Sequence, residues 1–245
     1  MAAMTATSAK DHLILALDTT DPKRAQALVD ATQGLVGVYK IGLEFAMSGG
    51  LPFAEALARQ GHDVFLDMKL LDISNTVAGA VRGAAALGVK YLTVHAYPQA
   101  IAAAVAARPK GLKIVAVTVL TSLSDTDLAD AGYTKGAADL VARRIRSAVE
   151  LGADAVVCSP QEATLAKRSG LTVITPGVRR AEDATGDQKR VATPQMAITA
   201  GADLLVVGRP ITGAPDPAQA AREYLHAIGE GLARAAKWSA APKQR

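Results

Sequence analysis

Short hydrophobic runs rich in Val, Ile and Leu alternate along the chain with Ala-rich segments whose apolar residues recur at helical spacing. Residues 75–88, for example, begin with the helix-capping residue Asn and end with Gly. The connections between the two kinds of segment are short. Eight runs are typical of buried strands, namely HLILALD, VGVYKIG, DVFLDMK, KYLTVHA, KIVAVTVL, ADAVVCS, LTVITPG and ADLLVVGR.

Eight successive strand–helix units predict an α/β fold, a closed (β/α)8 TIM barrel in a single domain. An open, doubly wound sheet is disfavoured because it seldom needs eight equivalent units and because no GxGxxG motif follows the first strand. The length of 245 residues suits one such barrel. We expect the barrel to span residues 11–235, with flexible ends at 1–10 and 236–245.

The composition narrows the class of protein. Half of the residues are hydrophobic but only 4% are aromatic, which predicts an aliphatic core. A net charge of +4 without a dense Lys/Arg block suits a small anionic substrate and gives no reason to expect nucleic acid. No signal peptide or membrane span is evident, and the single Cys158 lies in an apolar run. We therefore expect a soluble, cytoplasmic protein with no membrane partner.

Polar residues follow the predicted strands at the barrel end where active sites of this fold gather. The segment VFLDMKLLDISNT places Asp67, Lys69 and Asp72 within six residues, and Lys40 ends the preceding strand. Because side chains alternate along a strand, Asp67 and Lys69 should point the same way. An ordinary surface ion pair is the alternative, but neighbouring strands could bring all four charges into one array.

Such an array suits a reaction in which negative charge forms on carbon and is then protonated. A fixed ammonium can stabilise a developing carbanion and donate a proton to it, as decarboxylation requires. A fixed carboxylate beside the departing carboxylate could destabilise the ground state, which is the weaker of the two arguments. This chemistry requires no metal and no other cofactor.

A second group of residues follows the last two strands. Gly177 and Arg179 end one strand, and Gly208 and Arg209 end the other. In TIM barrels the loops after strands seven and eight commonly bind phosphate, so we predict phosphate recognition here. The intervening segment 177–194, which contains Gln188, is longer than an ordinary connection and is typical of a lid.

Three further polar residues lie at strand ends without a clear catalytic role. We expect His95 to be a packed, hydrogen-bonded histidine rather than a proton shuttle, because Lys69 already fills the role of donor. Thr121 and Ser122 could donate hydrogen bonds to a polar ring. With no adjacent general base, neither hydroxyl is expected to act as a nucleophile.

The ordered motifs LALD, YKIG, FLDMKLLDISNTV, VHA, AVTVLTS, TPGVR, GDQKR and VGRPIT make the chain closely resemble bacterial-type orotidine 5'-monophosphate decarboxylases. The resemblance covers nearly the whole chain. It implies conversion of orotidine 5'-monophosphate to uridine 5'-monophosphate in the last step of pyrimidine synthesis. It also implies a homodimer.

The resemblance also implies a role for each matching residue. Lys69 would donate the proton and Asp67 would lie beside the departing group, while Asp72 would come from the other subunit. The residues expected to bind substrate are Asp18, Lys40, Ile73, Thr76, Thr121, Arg179, Gln188, Gly208 and Arg209. Among these, Lys40 and Asp18 would contact ribose, as would Thr76 from the partner subunit, and Thr121 would face the pyrimidine.

One departure from the family pattern and two alternatives remain. Ser74 replaces a Pro found in many members, which removes a fixed φ from the shared segment. Metal-dependent sugar-phosphate decarboxylases and aldolases carry the same strand-end motif, and Glu44 is the nearby candidate for an additional metal ligand. A barrel that binds phosphate without catalysis is the other alternative, since a fold alone does not define an activity.

Overall fold

Eight parallel strands close into a barrel in the order in which they occur along the chain. The structure is a computed structural model that describes residues 8–180, 183 and 192–240, with the side chains of 238–240 excepted. The strands are β1 Leu13–Ala16, β2 Val38–Gly42, β3 Asp63–Leu70, β4 Tyr91–His95, β5 Lys113–Val117, β6 Ala155–Val157, β7 Thr172–Thr175 and β8 Leu204–Val207. Each lies within or next to one of the eight predicted runs, and the predicted TIM barrel is confirmed.

Helices follow the strands and cover the outside of the barrel. The α-helices are α1 Pro22–Ala31, α2 Leu43–Phe45, α3 Leu51–Arg59, α4 Ser74–Ala86, α5 Pro98–Ala107, α6 Asp125–Asp130, α7 Ala137–Glu150, α8 Ala163–Arg168, α9 Pro194–Thr199, α10 Arg209–Thr212 and α11 Pro217–Ala240. Short helical turns are Ala9–His12, Ala46–Gly50 and Pro160–Glu162. None of the helices in the described ranges is long and apolar enough to cross a membrane.

Local sequence signals set several helix starts. The side chain of Asp21 accepts the N–H of Lys23 at the start of α1, and Thr193 caps α9 in the same way. Helix α4 begins at Ser74 after an extended Ile73, one residue before the Asn expected to cap it. Helix α11 continues to Ala240, past the boundary predicted at residue 235.

The core has two parts, one on each face of the closed sheet. Outward-facing strand residues pack against the helices in a large aliphatic cluster. Inside the barrel, one residue from each strand forms a separate apolar layer: Ile14, Val38, Phe65, Tyr91, Val115, Ala155, Ile174 and Leu204. Because side chains alternate along a strand, the next inward residue of each strand is two positions further along and faces the space above this layer. That space holds the candidate site.

Candidate active site

A cavity of about 480 Å³ opens at the carboxyl ends of the strands, above the apolar layer. It is lined by Ala16, Asp18, Lys40, Glu44, Phe65, Asp67, Lys69, Val117, Val119, Leu120, Thr121, Ser122, Val157, Pro176, Gly177, Arg179, Val206, Gly208 and Arg209. Of the twelve residues that the family resemblance assigns to catalysis or substrate binding, eight line this one space: Asp18, Lys40, Asp67, Lys69, Thr121, Arg179, Gly208 and Arg209.

Four of these residues form a row of alternating charges. The Nζ atom of Lys40 lies 3.2 Å from Oδ1 of Asp18 and 3.6 Å from Oδ2 of Asp67. The Nζ atom of Lys69 donates to both carboxylate oxygens of Asp67 at 2.9 Å. The register of β2 with β3, which pairs Gly42 with Asp67, brings the two lysines to the same carboxylate. A surface ion pair does not describe this arrangement, because the Asp67 side chain is only 14% exposed.

The charged row keeps Asp67 ionised. Burial alone raises the pKa of this carboxyl group, but the charges of Lys40 and Lys69 and the hydrogen bonds that Asp67 accepts outweigh burial. The net result is a pKa below the ordinary value of an aspartate. At neutral pH the cavity therefore contains a fixed carboxylate between two lysines.

Lys69 has an unusual backbone conformation. Its φ of 49° lies in the left-handed region that a non-glycine residue seldom adopts. The pairing of β3 with β4 is irregular here, since four steps along β3 from Leu66 to Leu70 match only two along β4. The Lys69 N–H instead donates to Oγ1 of Thr93 at 2.7 Å. This bulge directs the Lys69 side chain back over Asp67.

Sequence reasoning missed Thr93. Its hydroxyl is fully buried on β4 and donates to Oδ1 of Asp67 at 3.0 Å. A signal was present in the sequence, because Thr93 is two residues from both Tyr91 and His95 and so faces inward on the strand next to β3.

The segment after β3 does not line the cavity of its own chain. Every residue from Leu71 to Thr76 is exposed, and Ile73 is 69% exposed. The carboxylate of Asp72 accepts the N–H of Ile73 at 2.6 Å. Among the described residues of this chain, Asp72 forms no salt bridge with Lys40 or Lys69. Of the four residues expected in the array, Lys40, Asp67 and Lys69 meet within this chain and Asp72 does not. Asp18 joins them.

The opposite side of the cavity carries the cationic end. Arg179 is buried, its Nη1 donates to the carbonyl of Val178 at 2.9 Å, and its Nε has no hydrogen-bond partner among the described atoms. Val178 forms a bridge with Ala192, which brings the two ends of the long connection together. The predicted ligand Gln188 lies outside the described residues.

Arg144 anchors the segment that carries Thr121. This half-buried side chain of α7 donates to the carbonyl of Thr118 and to the hydroxyl of Tyr133 at 3.2 Å. Its guanidinium also lies 5.0 Å from the ring centre of Tyr97. Thr118 and Tyr133, near the two ends of the connection between β5 and α7, therefore both hydrogen-bond to Arg144.

His95 lies near the charged row without belonging to it. Burial lowers the pKa of its imidazole, and the positive charges of Arg144 and Lys69 lower it further, against the opposing effect of Asp67. The ring is consequently neutral at pH 7. A cationic acid is therefore disfavoured, whereas the packed, hydrogen-bonded histidine stays a prediction.

The donor set suits charge stabilisation and proton transfer. Among the described residues, no group of three or more His, Cys, Asp or Glu side chains is placed to hold one metal ion. Glu44, the additional metal ligand considered from the sequence, is exposed at the rim of the cavity. The cavity thus combines an ammonium–carboxylate array at one end with a buried guanidinium at the other.

Comparisons with known proteins place this cavity in a family. The family described as "Orotidine 5'-phosphate decarboxylase / HUMPS family" matches residues 11–224. Orotidine 5'-phosphate decarboxylase of Rhodopseudomonas palustris strain BisB5 is 52% identical over 225 residues, covering 90% of this chain and 96% of the relative. The Methylorubrum extorquens PA1 protein of the same name is 54% identical over 220 residues, covering 88% and 94%.

A solved structure gives the same result. The crystal structure of orotidine 5'-phosphate decarboxylase from Lactobacillus acidophilus superposes with a TM-score of 0.77 at 32% sequence identity. The match covers 88% of this chain and 98% of that one. Sequence, fold and cavity agree: the chain belongs to the orotidine 5'-phosphate decarboxylase / HUMPS family.

Proposed function

We propose that the charged row at the barrel mouth performs the decarboxylation named in the chain's relatives. The chain converts orotidine 5'-monophosphate to uridine 5'-monophosphate and carbon dioxide in pyrimidine nucleotide synthesis. The observation that carries the assignment of roles is the Lys40–Asp67–Lys69 contact, with the Lys69 ammonium 2.9 Å from Asp67 inside the cavity.

Each member of the row has a distinct part in the reaction. The bond from the pyrimidine ring to its carboxylate breaks, carbon dioxide leaves, and the electron pair stays on the ring carbon. The Lys69 ammonium stabilises that negative charge and then transfers a proton to the carbon. Asp67 holds Lys69 in position and lies beside the departing carboxylate, while Lys40 and Asp18 bind ribose hydroxyl groups.

The cationic end binds the 5'-phosphate. Arg179, Gly208 and Arg209 line that part of the cavity, and the partnerless Nε of Arg179 is a buried donor suited to an anion. Thr121 contacts the pyrimidine, and Gln188 closes over the phosphate from the intervening segment. Binding energy from this non-reacting group helps to align the ring over Lys69.

The active enzyme is a homodimer that shares its sites. Residues Leu71 and Ile73 after β3 and Leu43 and Met47 after the adjacent β2 are apolar and exposed in the single chain. A second copy of the chain would cover them. It would also bring Asp72 and Thr76, which do not line their own cavity, to the cavity of the partner.

The reaction needs no metal and no other cofactor. The assay follows loss of substrate absorbance and identifies uridine 5'-monophosphate as the product, with and without a chelator. We expect equal turnover in both conditions. Loss of turnover with chelator, restored by a divalent cation, would instead favour the metal-dependent sugar-phosphate branch. Substrate binding by folded dimer without turnover would favour a binding-only barrel.

Subunit complementation tests the shared site. Lys69→Ala and Asp72→Asn proteins, each inactive alone, are mixed under conditions that exchange subunits. Random exchange of a symmetric dimer should restore about a quarter of the wild-type sites, one in each heterodimer. No recovery despite exchange demonstrated by differently tagged subunits would place both residues in one chain's site.

The location of the enzyme is inferred as cytoplasmic. Cys158, buried in the aliphatic core, is suited to a reducing compartment, where thiols persist. Cell fractionation followed by the decarboxylase assay checks this, with activity expected in the soluble cytoplasmic fraction.

A further inference from the structure

We infer that Thr93 is a positioning residue that fixes the Lys69 ammonium and the Asp67 carboxylate in their reactive arrangement. The inference rests on the proposed roles of those two residues. Thr93 does not line the cavity and does not contact substrate in this scheme, so its effect is exerted entirely through Asp67 and Lys69.

The hydrogen bonds of Thr93 close a small ring. Its Oγ1 accepts the backbone N–H of Lys69 at 2.7 Å and donates to Oδ1 of Asp67 at 3.0 Å. The same Asp67 oxygen accepts the Lys69 Nζ at 2.9 Å. One hydroxyl therefore fixes both the backbone and, through Asp67, the side-chain end of Lys69.

The ring explains how Lys69 keeps its left-handed backbone. A non-glycine residue with φ near 49° is strained, and it persists only where surrounding contacts hold it. The Lys69 N–H donates to Thr93 at the irregular pairing between β3 and β4. Without the hydroxyl this partly buried N–H would lose its partner, and a rotation of Lys69 toward ordinary strand geometry would move its ammonium away from Asp67.

The hydroxyl also orients the carboxylate. Asp67 has hydrogen-bond donors in Thr93 and Lys69, and Lys40 lies 3.6 Å from its Oδ2. The donor on β4 is rigid because Thr93 is fully buried on a strand, whereas the two lysines have long side chains. Thr93 thus holds the Asp67 carboxylate in one orientation. This matters because a small displacement of reacting groups can lower turnover strongly.

A set of three substitutions isolates this role. Thr93→Val keeps the shape and removes the hydroxyl, Thr93→Ser keeps the hydroxyl, and Thr175→Val is the matched control. Thr175 is also fully buried on a strand, but its hydroxyl has no partner among the described atoms and it does not line the cavity. Melting temperature and dimer content are measured for each protein alongside turnover.

We expect Thr93→Val to lower kcat about 10- to 100-fold with KM changed less than about threefold, because the phosphate end is untouched. Thr93→Ser should restore kcat to within about threefold of wild type, and Thr175→Val should leave it unchanged. If Thr93→Val does not fold, Thr93→Cys replaces it and should show a smaller loss, since a thiol donates and accepts weakly.

The pH profile separates positioning from a general loss of structure. Loss of a hydrogen bond to the ionised Asp67 raises the pKa of that carboxyl group, so the acid limb of kcat in Thr93→Val should move to higher pH. A folded Thr93→Val dimer with wild-type kcat and an unchanged profile would overturn the inference. So would a Thr93→Ser protein as impaired as Thr93→Val.

Lys69→Ala, assayed beside these proteins, distinguishes a failure of the roles proposed for Asp67 and Lys69 from a failure of the role inferred for Thr93. Adding Thr93→Val to Lys69→Ala should lower kcat by a smaller factor than in the wild-type background, because the part of its effect that acts through Lys69 is already lost. An active Lys69→Ala enzyme would refute the role proposed for Lys69 and this inference together. An inactive Lys69→Ala with a fully active Thr93→Val would refute the inference alone.

Discussion

The two ends of the cavity hold their charges in different ways. At the β2–β3 end, Lys40, Asp67 and Lys69 meet within 3.6 Å and the hydroxyl of Thr93 completes the set. At the β7–β8 end, Arg179 hydrogen-bonds through its side chain to the Val178 carbonyl, and its buried Nε has no partner among the described atoms. The Lys40–Asp67–Lys69 end is therefore organised by contacts within the chain, whereas we propose that an anion completes the hydrogen bonds of the Arg179 guanidinium.

This difference separates the energetic roles of the two ends. Groups already arranged around a reacting centre stabilise the transition state without reorganising, so their loss should lower kcat. A donor completed by the ligand contributes to binding, so its loss should raise KM first. Substitutions at each end test this separation.

The largest effect is expected for Lys69→Ala. Removal of the ammonium eliminates both charge stabilisation and the proton donor, so kcat should fall by about 10³-fold or more. Binding of uridine 5'-monophosphate, measured by calorimetry, should change little because the guanidinium end is intact. Turnover near wild type would contradict the assigned role.

Arg179→Met should mainly weaken binding. Loss of a hydrogen bond to a charged phosphate should lower kcat/KM about 10- to 100-fold, mostly through KM. Arg222→Met is the matched control, since Arg222 is an exposed arginine on α11 and its substitution removes the same charge. Equal effects of the two substitutions would indicate that general charge, and not the cavity guanidinium, attracts the substrate.

Asp67 should make folding stability depend on pH. Because the folded-state pKa lies below the unfolded value, the contribution of Asp67 is complete above about pH 4 and is lost as the pH falls through the folded-state value. Asp67→Asn should therefore be less stable at pH 7, by about 3 kcal/mol because two lysines lose their partner. Denaturant unfolding at pH 7 and pH 3 should show the difference shrinking at the lower pH.

The smallest effect is expected for Thr175→Val. This change removes a buried hydroxyl that lacks a partner among the described atoms, so the free energy of unfolding should rise by about 1 kcal/mol. Catalysis should be unchanged, in contrast to Thr93→Val. A destabilised Thr175→Val protein would mean that the hydroxyl is satisfied in solution.

The barrel was predictable because its signal is local. Each strand is a short apolar run bounded by turn residues, and each polar strand end lies at the same rim by the geometry of the fold. Asp67 and Lys69 could be paired from their spacing alone. The contact of Lys40 with Asp67 followed from the adjacency of β2 and β3, whereas its contact with Asp18 was not predicted.

The conformation of Lys69 could not be predicted in this way. Nothing in the residues around Lys69 signals a left-handed backbone, because no glycine or asparagine occurs there. The conformation coincides with the register irregularity and a hydroxyl on β4, 24 residues later in the chain. The position of Asp72 could not be predicted from strand geometry either, because the alternation of side chains does not extend to the loop beyond the end of the strand.

The apolar layer beneath the cavity also determines from which end of the barrel molecules enter and leave the cavity. Its eight side chains are at most 7% exposed and fill the barrel axis below Lys69 and Asp67. The cavity opens above them, at the carboxyl ends of the strands. In the proposed reaction, nucleotide, carbon dioxide and the proton that returns to Lys69 therefore pass through this opening, and the product must leave through it before the next substrate can enter.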